Sequence, residues 1–378
     1  MRAINSFLDS LVRPRGNLYR HTLSGFRICA YVGLLASASL CVLLALHLRL
    51  SLWVVAVLAL CVSASFTVLA MATKILVGNE KLVFYHQMIF ILSVSAVLLW
   101  LLGQPVLAYL DVLALSIGAF HVFGRIGCLV AACCHGKPCR YGVSYLPDLS
   151  RNGFPSYLMG VRLFPIQVVE SLWILCITIA GSVFLFKGSQ PGEALAWYIL
   201  AYAIGRFFFE FMRGDTERPY FWSFSEAQWT SLVLVYALML TEFAGGFVFH
   251  SWHALGAAII TATMVSLVVK RRFGNENTYK LLMPKHVKEF AQAIAATREM
   301  NGTGKVKVRC TSLGLLISTS HLQASEADIV LYTLSSARSE LTEDAARTLA
   351  DLLLRLRPSA SNELIRGRPG VFHLLVRA

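Results

Sequence analysis

An arginine between glycines, Gly124-Arg125-Ile126-Gly127, ends a long apolar run and is followed at once by Cys128. A guanidinium at a membrane edge is costly unless it is partnered or meets water. Its planar fork fits a phosphate in a two-point contact that a lysine ammonium does not match. The flanking glycines would let the backbone turn, or approach a ligand closely. The bland alternative is an arginine snorkelling to the lipid headgroups. A second set, Tyr202, Arg206 and Glu210, recurs every four residues and so shares one helix face. It is either a structural ion pair in apolar sequence or an arginine that binds an anionic headgroup with a glutamate to orient it. Arg213 and Asp215 continue that polar edge. Gln167 and Glu170 lie one turn apart after Pro165, a residue that suits a helix start. A solvated first turn accounts for them equally well. Tyr85 and His86 open another apolar run, as interfacial anchors or as a hydroxyl and a base for a reacting lipid. Asp111, deep in a span, must be neutral or face a partner.

Four thiols, Cys128, Cys133, Cys134 and Cys139, lie with His121 and His135 in the same short stretch. The spacing argues against a metal. Adjacent Cys133 and Cys134 do not readily share one tetrahedral ion, and there is no CxxC pair. The expectation is a small-residue turn packed between helices, with a thiol or His135 lining a pocket, and neither metal nor cofactor.

The chain that positions these groups has 378 residues, 56% hydrophobic and 15% charged, where soluble domains carry about a quarter charged residues. Runs of about 20 apolar residues recur, each long enough to cross a bilayer. This predicts an all-α polytopic membrane bundle of seven to eight spans, near 28–48, 51–72, 84–103, 105–123, 165–186, 192–212, 228–246 and 251–269. A basic segment, 1–27, precedes the membrane domain, 28–272. A small soluble α/β domain, 280–378, follows, with helices over 284–300 and 341–356 and strands over 306–309, 314–318, 329–334 and 372–376. The net charge of +13 speaks for orientation and anionic lipid rather than nucleic acid. Lys and Arg crowd one set of loops (Arg13, Arg20, Lys81, Arg125, Arg151 and Arg218 among them) and leave Arg49 and Lys187 on the other, which puts the first set in the cytoplasm. No phosphate loop or nucleophile motif marks the C-terminal domain, whose expected role is a protein partner or regulation.

In combination these positions resemble the prolipoprotein diacylglyceryl transferase family. GRIGCLVAACCHG looks like the family's GRIGN signature in its divergent GRIGCxxAGCCYG form. Phe164 to Glu170 looks like HPTQLYE, Tyr202–Arg206–Glu210 matches its Y-xxx-R-xxx-E helix, and Glu210 to Asp215 followed by Ser225 and Gln228 looks like EFFRGD and LSxxQ. Asp111 matches the family's aspartate. The resemblance implies a seven-helix inner-membrane enzyme that moves the diacylglyceryl group of phosphatidylglycerol onto a lipoprotein cysteine, releasing glycerol phosphate. It implies catalytic roles for Tyr85, His86, Arg125, Arg206 and Glu210. Substrate contacts fall to Asp111, His121, Gly124, Gly127, Cys128, His135, Gln167, Glu170, Tyr202 and Arg213. The departures are Tyr85 at the family's histidine, Cys128 for asparagine, Cys133 for glutamate and Phe164 for histidine. The family faces its site to the extracytoplasmic side, opposite to the charge count. The alternative to an enzyme is a lipid binder that keeps the arginines and has lost the chemistry.

Overall fold

A computed structural model of the chain describes residues 2–12, 15–18, 21–78, 83–146, 154–273, 278–298, 307–324, 327–357 and 361–377. Arg13, Arg20, Lys81 and Arg151, used in the charge count, lie outside the described residues, as do positions 299–300 and 306 of the expected tail elements. A short helix α1 (Arg2–Leu11) and a hairpin β1–β2 (Arg15–Leu18, His21–Ser24) lead into α2 (Gly25–His47). There follow α3 (Leu52–Val77), α4 (Phe84–Leu101), α5 (Val106–Val130), a pair of strands β3 and β4 (Pro138–Ser144, Arg162–Leu163), α6 (Ile166–Phe186) and α7 (Glu193–Phe209). A two-residue hairpin β5–β6 (Tyr220–Phe221, Phe224–Ser225) precedes α8 (Glu226–Phe243) and α9 (Ser251–Phe273).

Among the described residues, seven helices are long and apolar enough to cross a membrane: α2 to α7 and α9. The chain is a multi-pass membrane protein. The remaining expected span, α8, carries Glu226 and Glu242 at its two ends and falls short in apolarity. It still packs into the bundle, from the Tyr85–Ser231 contact with α4 near its start to Glu242, which pairs with His253 at the start of α9.

The central helix is α5. Its buried residues run from Tyr109 to Val130. Glycines let its neighbours approach closely, as small residues do between membrane helices. A Cβ on Gly33 of α2 would meet Phe123 Cβ at 3.0 Å, and one on Gly127 would meet Phe26 at 3.1 Å. These glycines serve packing. The helix does not end at 123 as expected but continues to Val130, so Arg125 projects from a regular helix and Gly124 and Gly127 make no turn. The reversal comes later, at Ala132 and Cys134, both left-handed at φ 57° and 52°.

The charged ends gather on one face of the bundle. Asp9 of α1 pairs with Arg162 at 3.1 Å, and Arg271 at the end of α9 donates to the Ser223 carbonyl at 3.1 Å. Among the described residues, the opposite face holds the short connections at 48–51, 102–105, 187–192 and 244–250.

After a single turn, α10 (Thr278–Leu281), the chain builds α11 (Pro284–Arg298), strands β7 (Val308–Cys310), β8 (Leu315–Ala324) and β9 (Ala327–Ser336), α12 (Glu343–Leu356), and strands β10 (Ser361–Arg366) and β11 (Phe372–Arg377). The described strands form an antiparallel sheet in the order β10-β11-β9-β8-β7. Leu315 and Ile317 of β8 alternate inward, as a half-buried strand requires. The sheet and its helices do not stand apart. Phe290, Ile294, Leu349 and Leu353 share one apolar core with Leu8, Leu129, Tyr145, Phe154 and Leu163 from the charged face of the bundle.

His286 anchors this docked domain, its Nδ1 at 2.9 Å from the Leu281 carbonyl and its Nε2 at 3.1 Å from Thr311 Oγ1. Burial holds its pKa below the ordinary imidazole value, against smaller upward pulls from that carbonyl and Glu289. Below about pH 6.5, an unfolded imidazole takes up a proton that the folded site resists, so stability falls as the pH drops. The unfolding temperature of the domain is expected to decrease between pH 7.5 and about 5.5, and His286→Gln is expected to flatten that dependence. An unchanged slope in the variant would assign the effect elsewhere.

Candidate active site at the membrane edge

Four segments meet beneath the docked domain. α5 brings Arg125, the first turn of α6 brings Gln167 and Glu170, the end of α7 brings Tyr202, Arg206 and Glu210, and the chain beyond brings Arg213, Asp215 and Arg218. Glu170 is their hub. Its Oε2 lies 2.5 Å from Arg125 Nε, and its Oε1 accepts from Arg206 Nη1 and Arg213 Nη1, each at 3.2 Å. Glu210 pairs with Arg206 at 2.5 Å and with Arg218. Asp215 takes Arg213 at 2.8 Å and Arg218 at 2.9 Å. Glu170 and Gln167 are only 4% and 1% exposed, which rules out the solvated first turn.

Among the described residues of this network, four guanidinium groups face three carboxylates, an excess of one positive charge. Arg218 shows the crowding: burial, then Arg213 and Arg206 beside it, push its guanidinium below its ordinary value. Arg125 Nη2 is buried and has no hydrogen-bond partner among the described residues, and the same holds for His121 Nδ1. A Cβ on Gly124, next to Arg125, would meet nothing within 4 Å. A positive surplus and an idle donor suit an anion, and a forked donor favours phosphate or carboxylate.

Aromatic rings wall the cluster. Tyr202 meets Tyr85 and Phe84 edge-on at 5.4 and 5.2 Å, and His121 stacks on Phe84 at 3.5 Å. Tyr85 is buried, its hydroxyl 2.7 Å from Ser231 Oγ. His121, Arg125 and Cys128 lie on one face of α5, at spacings of four and three.

Other expected site residues fall elsewhere. His86 points away from the cluster and pairs with Glu226 at 2.8 Å, its side chain 49% exposed, because it lies about 100° around the helix from Tyr85. Asp111 is buried and accepts from the backbone N–H groups of Gly192 and Leu195, each at 2.7 Å. It caps the start of α7 on the opposite face, about 21 Å along α5 from Arg125. Its carboxylate satisfies orphan amides at a helix N-terminus. Asp111→Ala is expected to cost about 2 kcal/mol of stability while the folded protein keeps its affinity for phospholipid. Weakened lipid binding by the folded fraction would return Asp111 to the site.

The turn after α5 is held to the cluster by backbone. Gln167 Nε2 donates to the Cys133 carbonyl at 2.9 Å, Gly214 N to the His135 carbonyl at 2.9 Å, and Lys137 N to the Met212 carbonyl at 2.9 Å. His135 is buried, with its Nδ1 3.0 Å from the Gly136 carbonyl. The sulfurs of Cys128, Cys133 and Cys134 lie within 4.8 Å of one another. Hydrogen bonds from Cys128 and Cys133 hold the Cys134 thiol below its ordinary value. Sequence reasoning placed Asp215 on the polar edge without a role in the site and gave Arg218 only to topology. Their place depends on the irregular chain after α7, where no periodicity applies. Ser225 and Gln228 form a capping box at the start of α8, and Gln228 also donates to the Phe207 carbonyl at 3.3 Å, so their part is to fix α8 against α7.

A model of the prolipoprotein diacylglyceryl transferase family matches residues 33–244, which include every arginine of the cluster. The chain belongs to the prolipoprotein diacylglyceryl transferase family. Curated relatives named phosphatidylglycerol–prolipoprotein diacylglyceryl transferase include one from Clostridium tetani, 31% identical over 110 residues, or 29% of this chain and 43% of the relative. The second such enzyme of Clostridium perfringens is 31% identical over 113 residues, 29% of this chain and 41% of its own. One from Dehalococcoides mccartyi is 32% identical over 127 residues, 33% and 46%. The chain thus spans less than half the length of these relatives. The family match stops short of the C-terminal sheet, which has its own place over the family's helices.

Proposed function

We propose that the protein transfers the diacylglyceryl group of phosphatidylglycerol to a cysteine thiol of a prolipoprotein, in a bacterial inner membrane. The convergence of Arg125, Arg206 and Arg213 on Glu170 supports this reading most directly. The lipid phosphate lies against the idle Nη2 of Arg125, with its acyl chains toward the bilayer along the wall of Tyr85 and Tyr202. The acceptor sulfur attacks the diacylglyceryl carbon that carries the phosphate oxygen. A C–S bond forms, the C–O bond breaks, and its electron pair leaves with glycerol phosphate. The guanidinium groups offset the charge that grows on that oxygen, in a water-poor site where fixed charge acts most strongly. The thiol proton passes to His121, whose buried Nδ1 has no hydrogen-bond partner among the described residues. His86, turned out to Glu226, takes no part. Glu210 and Gln167 hold the arginines and the Cys133 turn in place.

The test uses purified full-length protein in nanodiscs containing phosphatidylglycerol, with a lipobox peptide bearing one cysteine. Glycerol phosphate should appear in step with a peptide mass gain of one diacylglyceryl group. Bound phosphatidylglycerol that remains intact, with an unmodified peptide, would overturn the proposal.

A further inference from the structure

The turn that follows α5 is an unusual piece of backbone. Ala132 and Cys134 are both left-handed, at φ 57° and 52°, a conformation that L side chains rarely adopt and that costs of order 1–3 kcal/mol each. This geometry places two adjacent thiols, Cys133 and Cys134, on the same side. Both then meet Cys128, which comes from the last turn of α5. The resulting triangle of sulfurs, within 4.8 Å of one another, is close to the spacing of about 3.8 Å that thiolates take around one tetrahedral zinc with bonds of about 2.3 Å. Adjacency in sequence is therefore no obstacle here. The backbone reversal between the two residues does what a CxxC spacing does elsewhere.

We propose that Cys128, Cys133 and Cys134 bind a zinc ion through three thiolates and leave its fourth position open for the acceptor thiol. Among the described residues no histidine or carboxylate completes the group to four. Three protein ligands with one open position is the pattern of a reactive zinc rather than a closed structural one. Access supports the open position, since Cys133 is exposed while its two partners are half-buried. Two guanidinium groups border the triad. Arg125 lies three residues before Cys128 on the same helix face, and the turn pairs through Gly136 with Arg213. A thiol that takes the fourth position gives up its proton, as metal-bound ligands do. The proton goes to His121, and the sulfur then stands as a thiolate beside the arginine clamp, ready to form the C–S bond as the C–O bond to glycerol phosphate breaks. The metal neither gains nor loses electrons. This assigns an activator of the nucleophile to a chain that has Tyr85 at the family's histidine position. The role given to the ion, though not its binding, rests on the transfer reading above.

Metal content decides the first half. The full-length protein, purified in detergent without chelators, should carry about one zinc per chain. Cys128→Ser and Cys134→Ser should lose most of it, while Cys139→Ser should keep it. Circular dichroism and gel filtration of each variant separate loss of metal from loss of fold. Should the serine variants fail to fold, cobalt exchanged into the native protein gives the same answer through the intense sulfur-to-metal bands of a tetrahedral thiolate site. Nine titratable thiols in metal-free protein that shows no cobalt bands would overturn the site, and so would a disulfide within the triad. Adding a cysteine peptide to the cobalt protein should shift the bands, and an unmoved spectrum would rule out the open position. None of these readings needs lipid turnover. A zinc protein that never releases glycerol phosphate would defeat the transfer reading and leave the metal site standing.

Discussion

Replacing Glu170 with alanine should be the most damaging single change in the membrane domain. Three guanidinium groups close on this one carboxylate within 3.2 Å. Without it, Glu210 and Asp215 are left to face four buried or nearly buried arginines. Breaking a buried ion pair on one side costs about 3–5 kcal/mol, since the orphaned charge stays behind, and here Arg125 loses its carboxylate while Arg206 and Arg213 fall back on Glu210 and Asp215. The expected result is an unfolding midpoint lowered by that amount and no detectable glycerol phosphate release. Glu170→Gln keeps the shape and an accepting oxygen, so it should fold better than the alanine variant and still fail to turn over lipid. Phosphatidylglycerol, added in excess, should recover part of the lost stability of Glu170→Gln, because its phosphate supplies the missing negative charge and ligand binding to the native state stabilises it. A variant that melts like the native protein and retains activity would mean that the three arginines do not depend on Glu170.

The second large effect is expected from Arg125→Lys and Arg206→Lys. Each keeps the charge and removes the fork. Arg125 offers a free Nη2 beside its contact with Glu170, and a lysine ammonium cannot hold Glu170 and a phosphate from the same two directions. Loss of one preorganised donor to a developing oxyanion costs about 10²–10³ in rate. Arg125→Lys should therefore lower glycerol phosphate release by about that factor, with lipid affinity reduced less. Arg206 divides itself between Glu170 and Glu210, so Arg206→Lys should show a similar rate loss together with lower stability. The double variant should lose far less than the product of the two, because residues that act as a unit are not additive. Full multiplicative loss would show that the two arginines act on separate groups.

The sequence made the bundle legible through its apolar runs, and the arginine pair through cost. A charge within such a run must have a partner, and Arg125 and Arg206 both prove to have the same one, Glu170. The fourfold spacing of Tyr202, Arg206 and Glu210 translates directly into one helix face. Position along a helix axis was harder to read. Asp111 and Arg125 share α5, yet they serve opposite ends of it, since fourteen residues of helix separate two different surfaces. Facing direction also misled for His86, which neighbours Tyr85 in sequence and diverges from it in space. The end of α5 lies beyond its sequence estimate because neither Gly124 nor Gly127 forms a turn: Gly127 admits Phe26 and Cys29 of α2, while a side chain at Gly124 would meet nothing. The thiol triangle was illegible for the opposite reason: it depends on two left-handed residues that are not glycine, and no propensity signals those. Several arginines counted for topology are held in ion pairs within the site, so they speak for chemistry and not for orientation.

The one-sided gathering of charged ends has a practical reach. The arginine cluster, the turn after α5, the end of α9 and the C-terminal sheet all share a core or a contact on that face, while the far side, among the described residues, offers short connections. If the chain carries out the proposed transfer, its water-soluble product would emerge in the same compartment that houses Arg377. A reporter enzyme fused behind that residue would reveal which aqueous phase supplies the acceptor and collects the product, with no need to count the helices in between.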